Sequence, residues 1–103
     1  RVTFDASDGT DLEVGDVIAT IEGRAASLLI GERVALNFVQ RLSGVATITR
    51  AFVSALPESS TTRIADTRKT TPGLRALERY AVRAGGGFNH REDLSSAVLI
   101  KAR

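Results

Sequence analysis

The amino-acid sequence predicts an α/β fold on two observations. Residues 62–101 contain a strand pattern, a helix pattern and a second strand pattern in that order, which is typical of a βαβ unit. The residues before them contain short β-branched segments and then a long stretch of helical periodicity. At 103 residues the chain can form one small domain, whereas a complete β/α barrel needs ~250 residues. The chain starts at Arg1 with no initiator Met, and a strand pattern is already under way at Val2, so we expect a piece of a longer protein.

Two short strands are predicted near the start of the chain. Val2–Phe4 has strand composition, and residues 5–9 (DASDG) carry the Asp, Ser and Gly that favour a turn. Residues 16–22 (DVIATIE) are rich in β-branched side chains and are followed by Gly23, so they predict a second strand.

A long helical stretch follows these strands. From Ala25 to Leu56, apolar residues recur at three- and four-residue spacing, the pattern of an amphipathic helix. We expect interruptions at Gly31 and near Gly44, because glycine weakens a helix, and an end at Pro57.

The second half of the chain predicts a strand, a helix and a strand. Residues 62–66 (TRIAD) form a short strand candidate, and Thr71-Pro72 is a typical helix start. This helix should end at the glycines of residues 85–87. Residues 96–101 (SAVLIK) form an apolar run typical of a buried parallel strand.

The composition favours a globular protein that binds an anion. Residues 1–32 contain seven acidic and two basic residues, whereas residues 33–103 contain five acidic and twelve basic residues. Most of these bases are Arg, whose guanidinium matches carboxylate and phosphate geometry, although a solvated basic surface is an equal alternative. Because the chain has no Cys, disulfides, thiolate metal sites and a Cys nucleophile are excluded. No apolar stretch approaches the ~20 residues of a membrane span.

Several cationic residues fall where a parallel sheet binds its ligands. Such ligands lie at the carboxyl ends of the strands. Arg68 and Lys69 follow the first predicted strand directly, beside the hydroxyl of Thr67, and Lys101 ends the second strand. His90 and Arg91 precede the second strand, so the pattern does not fix their position. The alternative is a set of separate surface bases.

Other candidates are weaker. Residues 85–87 could approach a phosphate but more often end a helix, and Asp66 could act as a base or pair with Arg68 or Arg63. Tyr80 is expected to pack in the core. Arg33 is expected at a helix start, where a cation is unfavourable and indicates another purpose.

Four stretches of the chain carry a resemblance to a known family. They are residues 32–48 (ERVALNFVQRLSGVATI), 66–77 (DTRKTTPGLRAL), 79–91 (RYAVRAGGGFNHR) and 97–101 (AVLIK). In this order they resemble quinolinate phosphoribosyltransferase, also called nicotinate-nucleotide pyrophosphorylase (carboxylating). The resemblance covers residues 15–101.

The resemblance implies a fold, an activity and partners. Residues 1–57 would be the end of an α/β open-sandwich N-terminal domain, and residues 58–103 the first βαβ unit of an incomplete α/β barrel. The family transfers phosphoribosyl from phosphoribosyl pyrophosphate to quinolinate, releasing pyrophosphate and CO₂ to give nicotinate mononucleotide. It uses Mg²⁺, whose protein ligands are expected outside this segment. It also implies a cytoplasmic homodimer or homohexamer with shared active sites, and no nucleic-acid or membrane partner.

The resemblance also implies roles for individual residues. The residues implied to bind quinolinate are Arg33, Thr67, Arg68, His90, Arg91 and Lys101. Arg33 would act across the dimer interface, and Lys69 would face the phosphoribosyl substrate. No residue is assigned as an acid or base, which suits a reaction whose positive ring nitrogen stabilises the carbanion left by CO₂.

Some features depart from the family, and other functions stay open. Ala102-Arg103 stands where the family usually continues Asp-Asn-His, and the phosphate-binding loops lie outside this segment, so we expect the chain alone to be inactive. A phosphoribosyltransferase-like protein associated with molybdenum transport shares the architecture, but the sequence of residues 89–91 favours the quinolinate enzyme. From other classes, a basic nucleic-acid-binding module or a non-catalytic interaction module is the alternative. One Tyr and no Trp argue against base stacking.

Overall fold

A computed structural model describes residues 1–102 of the chain. Its regular elements are β1 (Val2–Phe4), β2 (Ala19–Ile21), α1 (Ala25–Ser54) and α2 (Arg75–Ala84). Within the described residues, no helix is both long enough and apolar enough to cross a membrane.

The two predicted N-terminal strands form an antiparallel hairpin. Val2 pairs with Ile21 and Phe4 with Ala19. The second strand is shorter than the predicted residues 16–22, because Asp16 belongs to a turn. Its backbone N–H donates to the Glu13 carbonyl at 3.1 Å, and its carboxylate accepts from the Glu13 N–H at 2.7 Å.

Helix α1 runs without a break for 30 residues, so the predicted interruptions at Gly31 and Gly44 are wrong. One glycine costs a helix only about 0.5–1 kcal/mol relative to Ala and removes no backbone hydrogen bond, so neither glycine breaks the helix. The helix ends at Ser54, where the N–H groups of Ala55 and Leu56 bond back to its last turn, and Pro57 follows.

Helix α2 begins three residues later than the predicted start at Pro72. Thr71 lies in a turn closed by the Leu74 N–H on the Thr71 carbonyl at 3.0 Å, and Gly73 takes the positive φ of 77° that this turn requires. Glu78 accepts hydrogen bonds from the backbone and hydroxyl of Thr71, which holds Thr71 outside the first helical turn. The predicted end at residues 85–87 is confirmed, since Gly85 caps the helix.

The end of α2 packs closely on α1. Ala81 is buried, and so is Thr49 of α1, whose hydroxyl donates to the Val45 carbonyl at 2.7 Å. A Cβ on Gly85 would lie 2.8 Å from Thr49 Cβ and would collide with the Ala46 carbonyl oxygen. The glycine therefore lets the two backbones approach.

The predicted strands of the second half are mostly absent from the described residues. Residues 62–66 contribute a single parallel bridge, Ala65 with Phe88, closed by the Phe88 N–H on the Ile64 carbonyl at 2.8 Å. The expected strand at residues 96–101 is wrong for the described chain, because no strand lies beside it to supply hydrogen-bond partners. Val98 and Ile100 are accordingly exposed.

Candidate cationic substrate site

The loop between the Ala65–Phe88 bridge and α2 presents two of the predicted cations. The Lys69 N–H donates to the Thr67 hydroxyl at 3.2 Å. From the first turn of α2, Arg75 donates to the Thr70 hydroxyl at 3.2 Å and to the Arg68 carbonyl at 3.3 Å. The backbone of the loop is thus held by Arg75, while the side chains of Arg68 and Lys69 are exposed.

Asp66, immediately before this loop, forms the ion pair of the site. Its Oδ2 lies 3.3 Å from Arg79 Nε, and the two side chains are only 6% and 14% exposed. Its Oδ1 accepts the His90 N–H at 2.7 Å. The expected pairing of Asp66 with Arg68 or Arg63 is wrong, since Arg63 instead stacks on the Phe88 ring at 4.0 Å. With both oxygens hydrogen-bonded, Asp66 is poorly suited to act as a base.

Asn89 fixes the second cationic loop. Its Nδ2 donates to Asp66 Oδ2 at 2.6 Å and to the Arg79 carbonyl at 3.0 Å, and its Oδ1 accepts from Arg83 Nη1 at 2.7 Å. Arg79 Nη1 also donates to the Arg91 carbonyl at 3.3 Å. These bonds hold the backbone of residues 89–91, and the His90 side chain is exposed.

The structure therefore brings two predicted cationic segments together. The chain leaves the parallel bridge in the same direction after Ala65 and after Phe88, so residues 67–69 and 90–91 emerge at one edge. Within residues 1–102, the side chains of Arg68, Lys69 and Arg91 form no ion pair with an acid. An edge with such uncompensated positive charge is suited to binding an anion.

Among residues 1–102, two predicted site residues are not joined to this edge by a hydrogen bond or ion pair. The sequence predicts Arg33 at a helix start, but it lies more than two turns inside α1. It precedes Arg41, which contacts Thr71, by eight residues, or about 12 Å of helix. Lys101 is exposed, and within the described residues neither Arg33 nor Lys101 makes a hydrogen bond or ion pair with the cationic loops.

Tyr80 does not pack in the core, so that prediction is wrong. The ring is about half exposed, and its hydroxyl donates to the Asp8 carboxylate. Arg83 lies over the ring at 5.5 Å. The contact connects α2 to the turn after β1, and the Asp8 carboxylate raises the pKa of the Tyr80 phenol by accepting its proton in a hydrogen bond.

Sequence reasoning missed Arg75, Arg79 and Asn89, which hold the loops in place. A signal was present for the arginines, since Arg75, Arg79 and Arg83 recur every four residues and so share one face of α2. Asn89 lies within the quoted RYAVRAGGGFNHR stretch, but its partner Asp66 is 23 residues away in the chain.

No metal site accompanies these groups in the described part of the chain. Among residues 1–102, no three side chains of His, Cys, Asp or Glu are grouped so that they could hold a metal ion.

Two sequence models of one family together cover nearly the whole chain. The model described as quinolinate phosphoribosyl transferase, C-terminal domain, matches residues 45–103, and the N-terminal domain model matches residues 1–43. The chain belongs to this family. The resemblance inferred from the motifs is therefore confirmed. The two domain models meet within α1, and the boundary expected after residue 57 stays a prediction.

Named relatives are similar over almost all of this family member. The probable nicotinate-nucleotide pyrophosphorylase [carboxylating] of Bacillus subtilis is 60% identical over 94 residues, which are 91% of this chain and 32% of the relative. The nicotinate-nucleotide pyrophosphorylase [carboxylating] of Mycobacterium leprae is 48% identical over 98% of this chain and 35% of the relative. The chain thus spans about a third of the length of these relatives.

Solved structures confirm the predicted α/β class. The crystal structure of NadC from Streptococcus pyogenes superposes with a TM-score of 0.86 at 52% identity, covering 94% of this chain and 36% of the other. The nicotinate-nucleotide pyrophosphorylase of Ehrlichia chaffeensis gives a TM-score of 0.89 at 42% identity, covering 97% of this chain and 36% of the other. This phosphoribosyltransferase segment therefore has the fold of part of those enzymes.

Proposed function

We propose that the intact protein transfers phosphoribosyl from phosphoribosyl pyrophosphate to quinolinate and that this segment supplies quinolinate contacts. The observation that carries the proposal is the parallel Ala65–Phe88 bridge, from which two cationic loops emerge at one edge. Quinolinate has two carboxylates, and Arg binds carboxylates through paired hydrogen bonds of fixed geometry. The names of the relatives, which refer to nicotinate nucleotides and quinolinate, support the same activity.

The proposed reaction has two bond exchanges. The lone pair of the quinolinate ring nitrogen forms a bond to the anomeric carbon of the sugar, and the carbon–oxygen bond to pyrophosphate breaks with its electrons leaving on pyrophosphate. The carbon–carbon bond to the adjacent carboxylate then breaks and CO₂ departs. The electron pair left on the ring carbon is stabilised by the positive nitrogen and takes a proton from solvent. The products are nicotinate mononucleotide, pyrophosphate and CO₂.

The residues of the two loops would bind and orient the substrates in this scheme. Thr67, Arg68, His90 and Arg91 would contact quinolinate, and Lys69 would face the phosphoribosyl substrate. Holding the ring nitrogen in line with the sugar carbon is worth more here than acid–base work, because the developing charges form within the substrates themselves.

Two further contacts belong to the same proposal. Arg33 would reach quinolinate from a neighbouring subunit of a homodimer or homohexamer, consistent with its exposed position on α1. Lys101 would join the site in the intact protein. The isolated segment, which spans about a third of its relatives, is expected to be inactive. A cytoplasmic location also stays a prediction.

The described residues do not fit a protein-bound Mg²⁺, as no acidic group is assembled for it. A requirement for Mg²⁺ with phosphoribosyl pyrophosphate is therefore proposed for the intact protein only. The roles proposed for Arg68, Lys69, His90 and Arg91 do not depend on the metal.

Calorimetric titration of the intact protein with quinolinate tests the proposal. Loss of a charged hydrogen bond costs about 1.5–3 kcal/mol, so Arg68→Ala should weaken quinolinate binding roughly 10- to 150-fold. Arg24→Ala is the matched control and should leave the affinity for quinolinate unchanged. Arg24 is an exposed arginine at the N-cap of α1, outside both cationic loops. Salt-sensitive DNA binding without dicarboxylate binding would overturn the proposal in favour of a nucleic-acid-binding module.

A further inference from the structure

We infer that Asp66 and Arg79 are positioning residues that hold the Asn89–His90–Arg91 loop in register with the Thr67–Lys69 loop. Neither side chain is among the groups proposed to touch substrate. The inference rests on the proposed function, because it states how that site is assembled. It gives a role to the buried Asp66–Arg79 ion pair, which the proposed substrate contacts do not explain.

The first support is that the pair is buried and fully engaged. The side chains of Asp66 and Arg79 are 6% and 14% exposed, and Asp66 Oδ2 lies 3.3 Å from Arg79 Nε. A buried ion pair often contributes little net stability compared with apolar packing, whereas breaking it by removing one partner is strongly destabilising. Its presence two residues from Arg68 is therefore better explained by a need for fixed geometry.

The second support is where the hydrogen bonds go. Asp66 Oδ1 accepts the His90 backbone N–H at 2.7 Å, and Oδ2 accepts Asn89 Nδ2 at 2.6 Å. Arg79 Nη1 donates to the Arg91 carbonyl at 3.3 Å. The pair thus bonds all three residues of the second loop and leaves the side chains of His90 and Arg91 unused by these contacts.

The third support is continuity with the first loop. Asp66 directly precedes Thr67, and its own N–H donates to the Phe88 carbonyl at 2.9 Å. One residue therefore ties the start of both loops together. A displacement of about 1 Å in a positioned group can cost ~100-fold in rate. Loss of the pair should accordingly weaken quinolinate use even though no substrate contact is removed.

Arg79→Lys in the intact enzyme is the main test, because Lys keeps the charge but cannot bond Asp66 and Arg91 together as the guanidinium does. We expect kcat/KM for quinolinate to fall about 10- to 100-fold, with KM for phosphoribosyl pyrophosphate changed less than about threefold. Arg50→Lys is the control: Arg50 pairs with Asp11 at 3.0 Å, makes no hydrogen bond or ion pair with either cationic loop within the described residues, and should change neither constant.

A double-mutant cycle separates positioning from general destabilisation. If Arg79 acts through the second loop, Arg79→Lys should add less than about twofold to the quinolinate defect of Arg91→Ala, since coupled residues are not additive. Full additivity would overturn the inference, as would equal losses for both substrates or quinolinate kinetics within twofold of wild type for Arg79→Lys. Asp66→Asn is a second test of the same pair and should also lower kcat/KM for quinolinate. Circular dichroism checks that this variant is folded.

The outcome also separates this inference from the proposed function. Arg68→Ala without effect on quinolinate binding would remove the proposed function itself. A strong Arg68→Ala defect together with a silent Arg79→Lys would leave the proposed function in place and remove only the positioning role.

Discussion

Glu78 on α2 accepts two hydrogen bonds from Thr71, one from the hydroxyl at 2.7 Å and one from the backbone N–H at 3.1 Å. Arg41 of α1 lies 3.4 Å from the same carboxylate. Glu78 therefore joins α1, α2 and the turn that follows the Arg68–Lys69 loop. The Thr71 hydroxyl bond is the largest influence on the pKa of Glu78 and lowers it, outweighing the upward effect of burial.

This lowered pKa predicts a specific loss of stability in acid. A carboxyl whose pKa is lower in the folded than in the unfolded protein adds stability that is fully present above its ordinary value of 4.5 and is lost as pH falls through the folded pKa. Glu78→Gln should therefore lose about 1–3 kcal/mol near pH 7 and converge toward wild type below pH 4.5. Urea unfolding of the intact protein at several pH values measures both effects, and parallel pH profiles for the two proteins would contradict the prediction.

The close approach of α2 to α1 predicts that Gly85 cannot carry a side chain. The φ angle of Gly85 is −76°, which any residue can adopt, so only the space around the residue excludes a side chain. A new Cβ would collide with the Ala46 carbonyl, and overpacking of this kind costs about 1–3 kcal/mol. Gly85→Ala should therefore lower the free energy of unfolding by this amount.

Gly44→Ala is the matched control for the Gly85 prediction. Gly44 lies inside α1, and a Cβ added to it would meet no atom within 4 Å, so Ala should stabilise the helix by about 0.5–1 kcal/mol. Opposite signs for the two glycine-to-alanine changes are expected in urea unfolding of the intact protein. Destabilisation by Gly44→Ala, or tolerance of Gly85→Ala, would contradict this packing of the two helices.

The hydrogen bond from Tyr80 to Asp8 predicts an elevated phenol pKa. Ionising Tyr80 places a negative charge beside the Asp8 carboxylate and removes the donated proton, so the folded protein resists it. Spectrophotometric titration near 295 nm, taken as the difference between wild type and Tyr80→Phe, isolates this phenol. Asp8→Asn should move its pKa back toward 10, and an unchanged pKa in that variant would argue against the contact.

The parts of the fold that the sequence predicts correctly are those decided by local chemistry. Composition places the strand at Val2–Phe4, and glycine ends α2 at Gly85. The helix breaks expected at Gly31 and Gly44 do not occur, because a single glycine weakens a helix only slightly and keeps its backbone hydrogen bond. The strand expected at residues 96–101 does not form for a different reason. A strand needs a neighbouring strand as its hydrogen-bond partner, and the described residues provide none beside it.

The same distinction between local chemistry and distant partners applies to the candidate site. The motifs identify the exposed residues Arg68 and His90, because their chemistry is visible in the residue types. The pairing of the groups that hold them is not visible in the sequence, because Asp66 meets Arg79 only after the chain has turned back through α2.

The burial pattern predicts that the 103-residue chain alone does not form a compact, stable monomer. Among the described residues, Ala81 is the only apolar residue that is buried, while Leu29, Ile30 and Ile100 are 72%, 80% and 90% exposed. The radius of gyration is 17.0 Å, compared with about 13 Å for a compact domain of 100 residues. Exposed apolar surface of this extent favours association.

Size-exclusion chromatography of the isolated chain should therefore give oligomers or aggregates, and urea unfolding should lack a cooperative transition. The intact protein, run as the control, should unfold cooperatively, and a monodisperse, cooperatively unfolding monomer of the isolated chain would contradict the prediction.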